Sequence, residues 1–134
     1  MAGAARTEAE ARFLQAGHYA VIAALRPDGT AHQTVVWVDW DGTHVLVNLN
    51  TERRKLDYLG VDPRTSVLVL HREDPFRWLS VDGVVDEITT EGANEHIDRQ
   101  AKRYFGRDVY GLKPGEQRVL VKVRPTRVHG YRVD

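Results

Sequence analysis

Three basic residues follow one another in the segment Thr51-Glu52-Arg53-Arg54-Lys55. The surrounding sequence predicts a helix over residues 51–59, with Thr51 as its cap, Leu56 and Leu59 at helical spacing, and Asp62-Pro63 as its stop. Cations in the first turn oppose the helix dipole, typically by about 0.3–1 kcal/mol each when exposed. A phosphate would supply the missing negative charge, held by free helix N–H groups, the Thr51 hydroxyl and an arginine fork. A solvated charged helix, offset in part by Glu52 and Asp57, is the alternative these residues leave open.

Just upstream, Asp41-Gly42 is a strong hairpin signal, because a type I′ turn needs positive φ at both central residues. A two-residue loop sets Trp40 opposite Thr43, Trp37 opposite Leu46, Val35 opposite Asn48 and Gln33 opposite Asn50. One face of the hairpin then carries Thr34, Val36, Val38 and Trp40 with Val45, Val47 and Leu49, a core surface by composition. The other carries Gln33, Val35, Trp37 and Asp39 with His44, Leu46, Asn48 and Asn50. Amide groups beside an aromatic and aliphatic floor suit a flat polar heterocycle. A solvated outer sheet face is the competing reading. The register sets Gln33 beside Asn50, and so sets the amide face next to the basic cluster. Phosphate at one end and a ring on the sheet is the layout of a nucleotide-like cofactor site.

Other chemistries are poorly served. With no cysteine, disulfides, thiolate nucleophiles and thiolate metal sites are excluded. The six histidines show no metal-ligand spacing and no HExxH, so no metal site is expected. GxGxxG and P-loop motifs are absent, and neither Ser66 nor Ser80 lies in GxSxG. Nineteen basic residues balance nineteen acidic ones, which leaves no broad field for nucleic acid or an anionic membrane. The basic run Arg99, Lys102, Arg103 and Arg107 reads as a solvated helix face, or as a surface for the acidic tail of a ligand. Residues 1–12 lack the apolar run of a signal peptide and no stretch approaches a membrane span, so a soluble, cytoplasmic protein is expected.

The elements that must position these groups follow from patterning. At 134 residues, 42% hydrophobic and 28% charged, the chain has the length and composition of one folded domain, residues 1–134. Thr7 and Glu10 have capping-box spacing and open a helix over residues 7–16. Strands are predicted at 18–26, 30–40, 43–50, 65–71 and 76–89, the last with a bulge at Gly83. A helix at 91–105, with Ile97, Ala101, Tyr104 and Phe105 inward, and a loose stretch at 106–116 lead to two closing strands, 117–124 and 127–133, separated by Pro125. Six or seven short strands joined by tight turns, with flanking helices, argue for a mainly β antiparallel barrel.

The chain also carries a family likeness. Arg-Pro-Asp-Gly at 26–29, Gln-Thr-Val-Val-Trp at 33–37, Asp41-Gly42, Asn-Thr-x-Arg-x-Lys at 50–55, Leu59, Asp-Pro-Arg at 62–64, the segment 77–83 and Arg-Pro-Thr-Arg-Val-His-Gly-Tyr at 124–131 occur in that order. Together they resemble the pyridoxamine-phosphate-oxidase-like split β-barrel proteins (the FMN-binding split-barrel type). More narrowly, they are similar to the deazaflavin-dependent branch, small actinobacterial reductases that use coenzyme F420. The likeness spans residues 13–131. It implies a homodimer with two cofactor sites at the subunit interface, and a reductase passing hydride to an unsaturated small organic acceptor. Arg53 and Lys55 would hold the cofactor phosphate with Thr51 assisting, while Gln33, Thr34, Val35, Val36 and Trp37 would line the ring with Asn48 and Asn50 nearby. Trp78 would approach the ring from the other subunit, and His129 and Tyr131 would border the substrate space. An FMN enzyme of the same fold, or a carrier of a cofactor or tetrapyrrole without turnover, are the alternatives. No catalytic acid or base is singled out.

Overall fold

The computed structural model describes residues 7–134. The first six residues, which the single-domain and no-leader expectations include, lie outside the described residues. Thr7 caps α1 (Glu8–Gln15): its hydroxyl accepts the Glu10 N–H at 3.1 Å, and the Glu10 carboxylate accepts the Thr7 N–H at 3.0 Å. That reciprocal pair satisfies two helix-end donors and starts the helix where the spacing predicts it. The helix delivers Phe13 and Leu14 to the core.

β1 (Tyr19–Leu25) and β2 (Ala31–Trp37) form a hairpin, followed by β3 (Asp39–Trp40), β4 (Val45–Asn50), α2 (Arg54–Val61), β5 (Arg64–Leu70), β6 (Trp78–Thr89), α3 (Ala93–Phe105) and β7 (Arg118–Tyr131). All seven strands are antiparallel to their neighbours, in the order β2-β1-β5-β6-β7-β4-β3. β2 and β3 are successive in the chain yet stand at opposite ends of the sheet. The sheet has therefore curled until its edges face each other, and the chain crosses from one edge to the other at Val38. Alternation along the strands turns Ile22, Val67, Val69, Val81, Val47 and Val121 inward, each such burial contributing about 1.5–3 kcal/mol. α3 covers the outside of β4 and β7, where Leu46, Leu120 and Ala93 make a second apolar cluster.

Several sequence expectations need correction. The predicted strand 30–40 is two strands, because the chain changes sheet edge at Val38. The Asp41-Gly42 turn is a four-residue loop with Trp40 opposite Val45; the Asp41 carboxylate accepts the N–H of Thr43 at 2.8 Å and of His44 at 2.6 Å. Side-chain capping of two turn donors wins over the tighter turn. The register thus slides by two residues. An even shift keeps every side chain on its face, so Val36, Val38, Trp40, Val45, Val47 and Leu49 do form core. The expected pairings of Gln33 with Asn50 and Val35 with Asn48 are absent, since β2 pairs with β1. α2 starts at Arg54, not at Thr51; the Asn50 side chain accepts the Glu52 N–H and holds a turn ahead of the helix. Phe105 is 56% exposed rather than inward.

The two closing strands are one. Pro125 sits opposite Gly83 at a register shift in the β6–β7 ladder. A Cβ on Gly83 would stand 2.6 Å from the Arg124 carbonyl oxygen. Proline lacks a ladder donor and glycine leaves room for the kink, so the strand bends here instead of ending.

Candidate functional site

The gap between the facing edges, β2 on one side and β4 on the other, is the centre of the site. Tyr104 of α3 pins its closed end. The Val38 N–H donates to the Tyr104 hydroxyl at 3.0 Å, and that hydroxyl donates to the His18 carbonyl at 2.6 Å. Burial pushes the phenol up to about 12, so it stays protonated and keeps donating. The Tyr104 ring stacks on Trp37 at 4.6 Å, which fixes the indole on the β2 lip.

A cavity of about 180 Å³ opens along this gap. Val35, Val36 and Trp37 form one wall and Asn48, Leu49 and Arg118 the other, with Ile97 and Tyr110 above and Arg53 and Lys55 at one end. A neighbouring groove of about 570 Å³ shares Arg53 and Tyr110 and continues past Asn50 and Thr51 to Arg107 and Lys113. The loop bearing Tyr110 is tied to α3 by its N–H, which donates to the Asp98 carboxylate at 2.8 Å.

Lys55 is only 3% exposed, and among the described residues no carboxylate or hydrogen-bond acceptor meets its ammonium group. Burial, and the neighbouring Arg53 guanidinium, hold its amine below the ordinary lysine range. Its stem is buried while Nζ keeps its remaining exposure at the cavity wall, where no protein carboxylate neutralises it.

The opposite wall is charge-balanced and tied into a hydrogen-bonded chain. The Arg118 Nε donates to Asn48 Oδ1 at 2.9 Å and its Nη2 to the Asn48 carbonyl at 3.2 Å, while Nη1 meets Glu116 at 2.8 Å. The Asn48 amide nitrogen donates to the Ala93 carbonyl at 2.8 Å and lies 3.0 Å from His96 Nδ1. His96 Nε2 is 3.0 Å from Asp39, which Arg103 also meets at 2.9 Å. Burial works against the Asp39 charge, yet the bonds from His96, the Trp40 N–H and Arg103 hold its carboxyl below the usual range. Arginine only donates and a carboxylate only accepts, so the ends of this chain fix its interior. Asn48 must present its oxygen to Arg118 and its nitrogen to His96, whose proton then sits on Nε2.

Of the residues singled out from sequence, Val35, Val36, Trp37, Asn48, Arg53 and Lys55 meet at the cavity, and Asn50 and Thr51 line the adjoining groove. Gln33 is exposed and lines neither, while Thr34 turns inward with its hydroxyl buried and unpartnered. Trp78 and His129 lie with ring centres 5.2 Å apart and planes tilted by 56° on the outer face of β6 and β7, and line neither the cavity nor the adjoining groove. Sequence reasoning missed Arg118, Ile97 and Tyr110. Arg118 is found only once β7 is known to pair with β4, which sets it opposite Asn50. No cluster of three metal-ligating side chains occurs among the described residues, and no described helix is long and apolar enough to cross a membrane.

Comparison with known proteins agrees with this architecture. The chain is 28% identical over 120 residues to an F420H(2)-dependent biliverdin reductase of Mycobacterium tuberculosis (strain CDC 1551 / Oshkosh), a match covering 88% of this chain and 82% of that protein. Among solved structures it resembles an F420 reductase, with TM-score 0.75 and 28% identity over 87% of this chain and 93% of the other. It also resembles the conserved hypothetical protein Rv2991 from Mycobacterium tuberculosis, with TM-score 0.72 and 27% identity over 96% of this chain and 86% of that one. The pyridoxamine 5'-phosphate oxidase family profile matches residues 7–132, and the chain belongs to that family.

Proposed function

We propose that this member of the pyridoxamine 5'-phosphate oxidase family is a cytoplasmic, homodimeric oxidoreductase that passes hydride from reduced coenzyme F420 to an unsaturated small organic acceptor. The observation that carries the reading is Lys55, a largely buried lysine whose ammonium faces the cavity without a counter-ion, beside Arg53 at the end of a slot with apolar walls. Those groups fit a ligand with a phosphate at one end and a flat ring at the other. Arg53 and Lys55 hold the phosphate, with the Thr51 hydroxyl within the same groove. Trp37, Val35 and Ile97 bound the ring, and Arg107 and Lys113 extend the basic surface for any further anionic part of the ligand.

The bound deazaflavin supplies a two-electron hydride. The protein's part is to bind it, orient it and exclude water. A cavity of about 180 Å³ is smaller than the roughly 300–1,000 Å³ that encloses a ligand of this size. In the proposed dimer a second chain would complete the wall. One cross-strand row on the outer sheet face carries Trp37, Tyr19, Leu70, Trp78 and Tyr131, with Val35 and Leu68 exposed in the next row. This is the face we assign to the partner copy, and it is where Trp78 and His129 would meet the other subunit's site.

Titration of the purified protein with oxidised F420, beside the same titration with FMN, tests the reading. Micromolar or tighter F420 binding, weak FMN binding and loss of F420 affinity in Arg53→Ala/Lys55→Ala are expected. Preference for FMN would move the function to a flavin enzyme of the same fold. Binding without turnover across a broad acceptor panel would make the protein a carrier. Light scattering that returned a mass near 15.2 kDa would refute the shared site.

A further inference from the structure

The two polar ends of the cavity differ in charge balance. Lys55 has no counter-ion, whereas Arg118, 4% exposed, lies 2.8 Å from Glu116 and is electrically compensated. A compensated guanidinium gains little from a full anion but still offers hydrogen bonds. Three of the five Arg118 N–H groups are spent on the Asn48 side chain, the Asn48 carbonyl and Glu116. The remaining two have no acceptor among the described residues, and Arg118 lines the cavity with the Tyr110 ring 5.0 Å over its guanidinium.

Resting on the cofactor reading above, we propose that Arg118 recognises a neutral carbonyl edge of the bound heterocycle, and that Asn48, His96 and Asp39 are positioning residues that hold it for that contact. The site then divides its work. Arg53 and Lys55 read the phosphate, and Arg118 reads the ring. The positioning residues act through orientation alone: the Asn48 amide has both N–H groups committed to Ala93 and His96 and its oxygen committed to Arg118, so the guanidinium is held in one plane. If His96 is lost, one Asn48 N–H has no acceptor and the amide is free to rotate, which releases the Arg118 fork.

The test uses two probes, F420 and the same deazaflavin with its ribityl chain but without phosphate, titrated into the wild type and into Arg118→Gln, Arg118→Lys, His96→Leu, His96→Gln and Lys55→Met. Circular dichroism and light scattering check that each variant keeps its fold and assembly. Loss of two hydrogen bonds to a neutral oxygen predicts roughly tenfold weaker binding of both probes in Arg118→Gln. Arg118→Lys keeps the charge for Glu116 and loses the fork, so it should behave alike. His96→Leu should weaken both probes as well, with His96→Gln closer to wild type. Lys55→Met should weaken F420 and leave the phosphate-free probe unchanged.

Arg118 variants that weaken F420 alone would place Arg118 at the phosphate and overturn the proposal. So would unchanged affinities, or a wild type that binds F420 but not the phosphate-free ring. A wild type that binds neither F420 nor FMN would overturn the cofactor reading itself, and this assignment with it.

Discussion

Replacing Tyr104 by Phe isolates one hydroxyl at the point where the sheet's two edges meet. The aromatic ring stays, and with it the 4.6 Å stack on Trp37. What disappears is the acceptor for the Val38 N–H at 3.0 Å and the donor to the His18 carbonyl at 2.6 Å. Val38 is fully buried, so its N–H cannot turn to water. Leaving a buried donor unsatisfied costs about 1–3 kcal/mol, and the His18 carbonyl loses its partner as well. A destabilisation of about 2 kcal/mol is expected. For a chain of this length, with an unfolding entropy of about 2.1 cal/mol/K per residue, that lowers Tm by roughly 7 °C. Urea unfolding at matched protein concentration, with m unchanged, measures it. Tyr19→Phe is the control, since among the described residues its hydroxyl meets only Arg72 at the surface, at 3.3 Å, and it should stay within about 0.5 kcal/mol of wild type. A Tyr104→Phe protein no less stable than that control would refute the role given to this hydroxyl.

Lys55→Met should leave the ligand-free protein at least as stable as wild type while weakening F420 binding; a thermal scan without ligand that showed lower stability would mean Lys55 has a partner in the free fold. His18, held down to about 4 by burial and by His71, Arg72 and Arg77, takes up its proton more readily in the unfolded chain. Its contribution to stability is therefore complete above pH 6.5 and lost as pH falls toward 4, at most about 3 kcal/mol. His18→Asn, which keeps an acceptor for the Arg72 N–H, should flatten stability against pH in that window, and an unchanged slope would assign the decline to other groups. Gly83→Ala sets a methyl 2.6 Å from a main-chain oxygen and should cost about 2–4 kcal/mol in denaturant unfolding.

Much of this was legible in the sequence, for reasons specific to particular residues. The Thr7/Glu10 capping pair, the Gly83 bulge and the inward alternation of 36, 38, 45, 47 and 49 are local signals, and local signals survive folding. Lys55, Arg53, Trp37 and Asn48 were found because a basic cluster beside an amide-bearing strand is unusual chemistry wherever it lies. Their supposed connection was wrong in detail: β2 and β4 face each other across a gap, where the turn at Asp41-Gly42 suggested a ladder. A hairpin signal reports the turn and says nothing of which sheet edge the strand before it has joined. Arg118 and Tyr110 escaped notice because only long-range pairing and the docking of the loop after α3 bring them to the cavity. Asn48 was expected to offer its amide to a ligand; the structure commits that amide to Arg118, Ala93 and His96.

The gap itself has one more implication. Among the described residues β2 is bonded to β1 alone, and β4 beyond Leu46 to β7 alone, so the peptide groups of 33–37 and 47–50 that point across the opening have no strand partner there. These are donors and acceptors that belong to the chain, and alanine scanning is blind to them. On the proposed reading, a ring seated between the lips would first meet a pattern of amides that almost any sequence adopting this curl would present. Side chains such as Arg118 would then refine an affinity begun by the backbone. Ester-for-amide replacement along 34–36, which deletes single N–H groups and spares every side chain, is the kind of perturbation that reaches this layer of recognition.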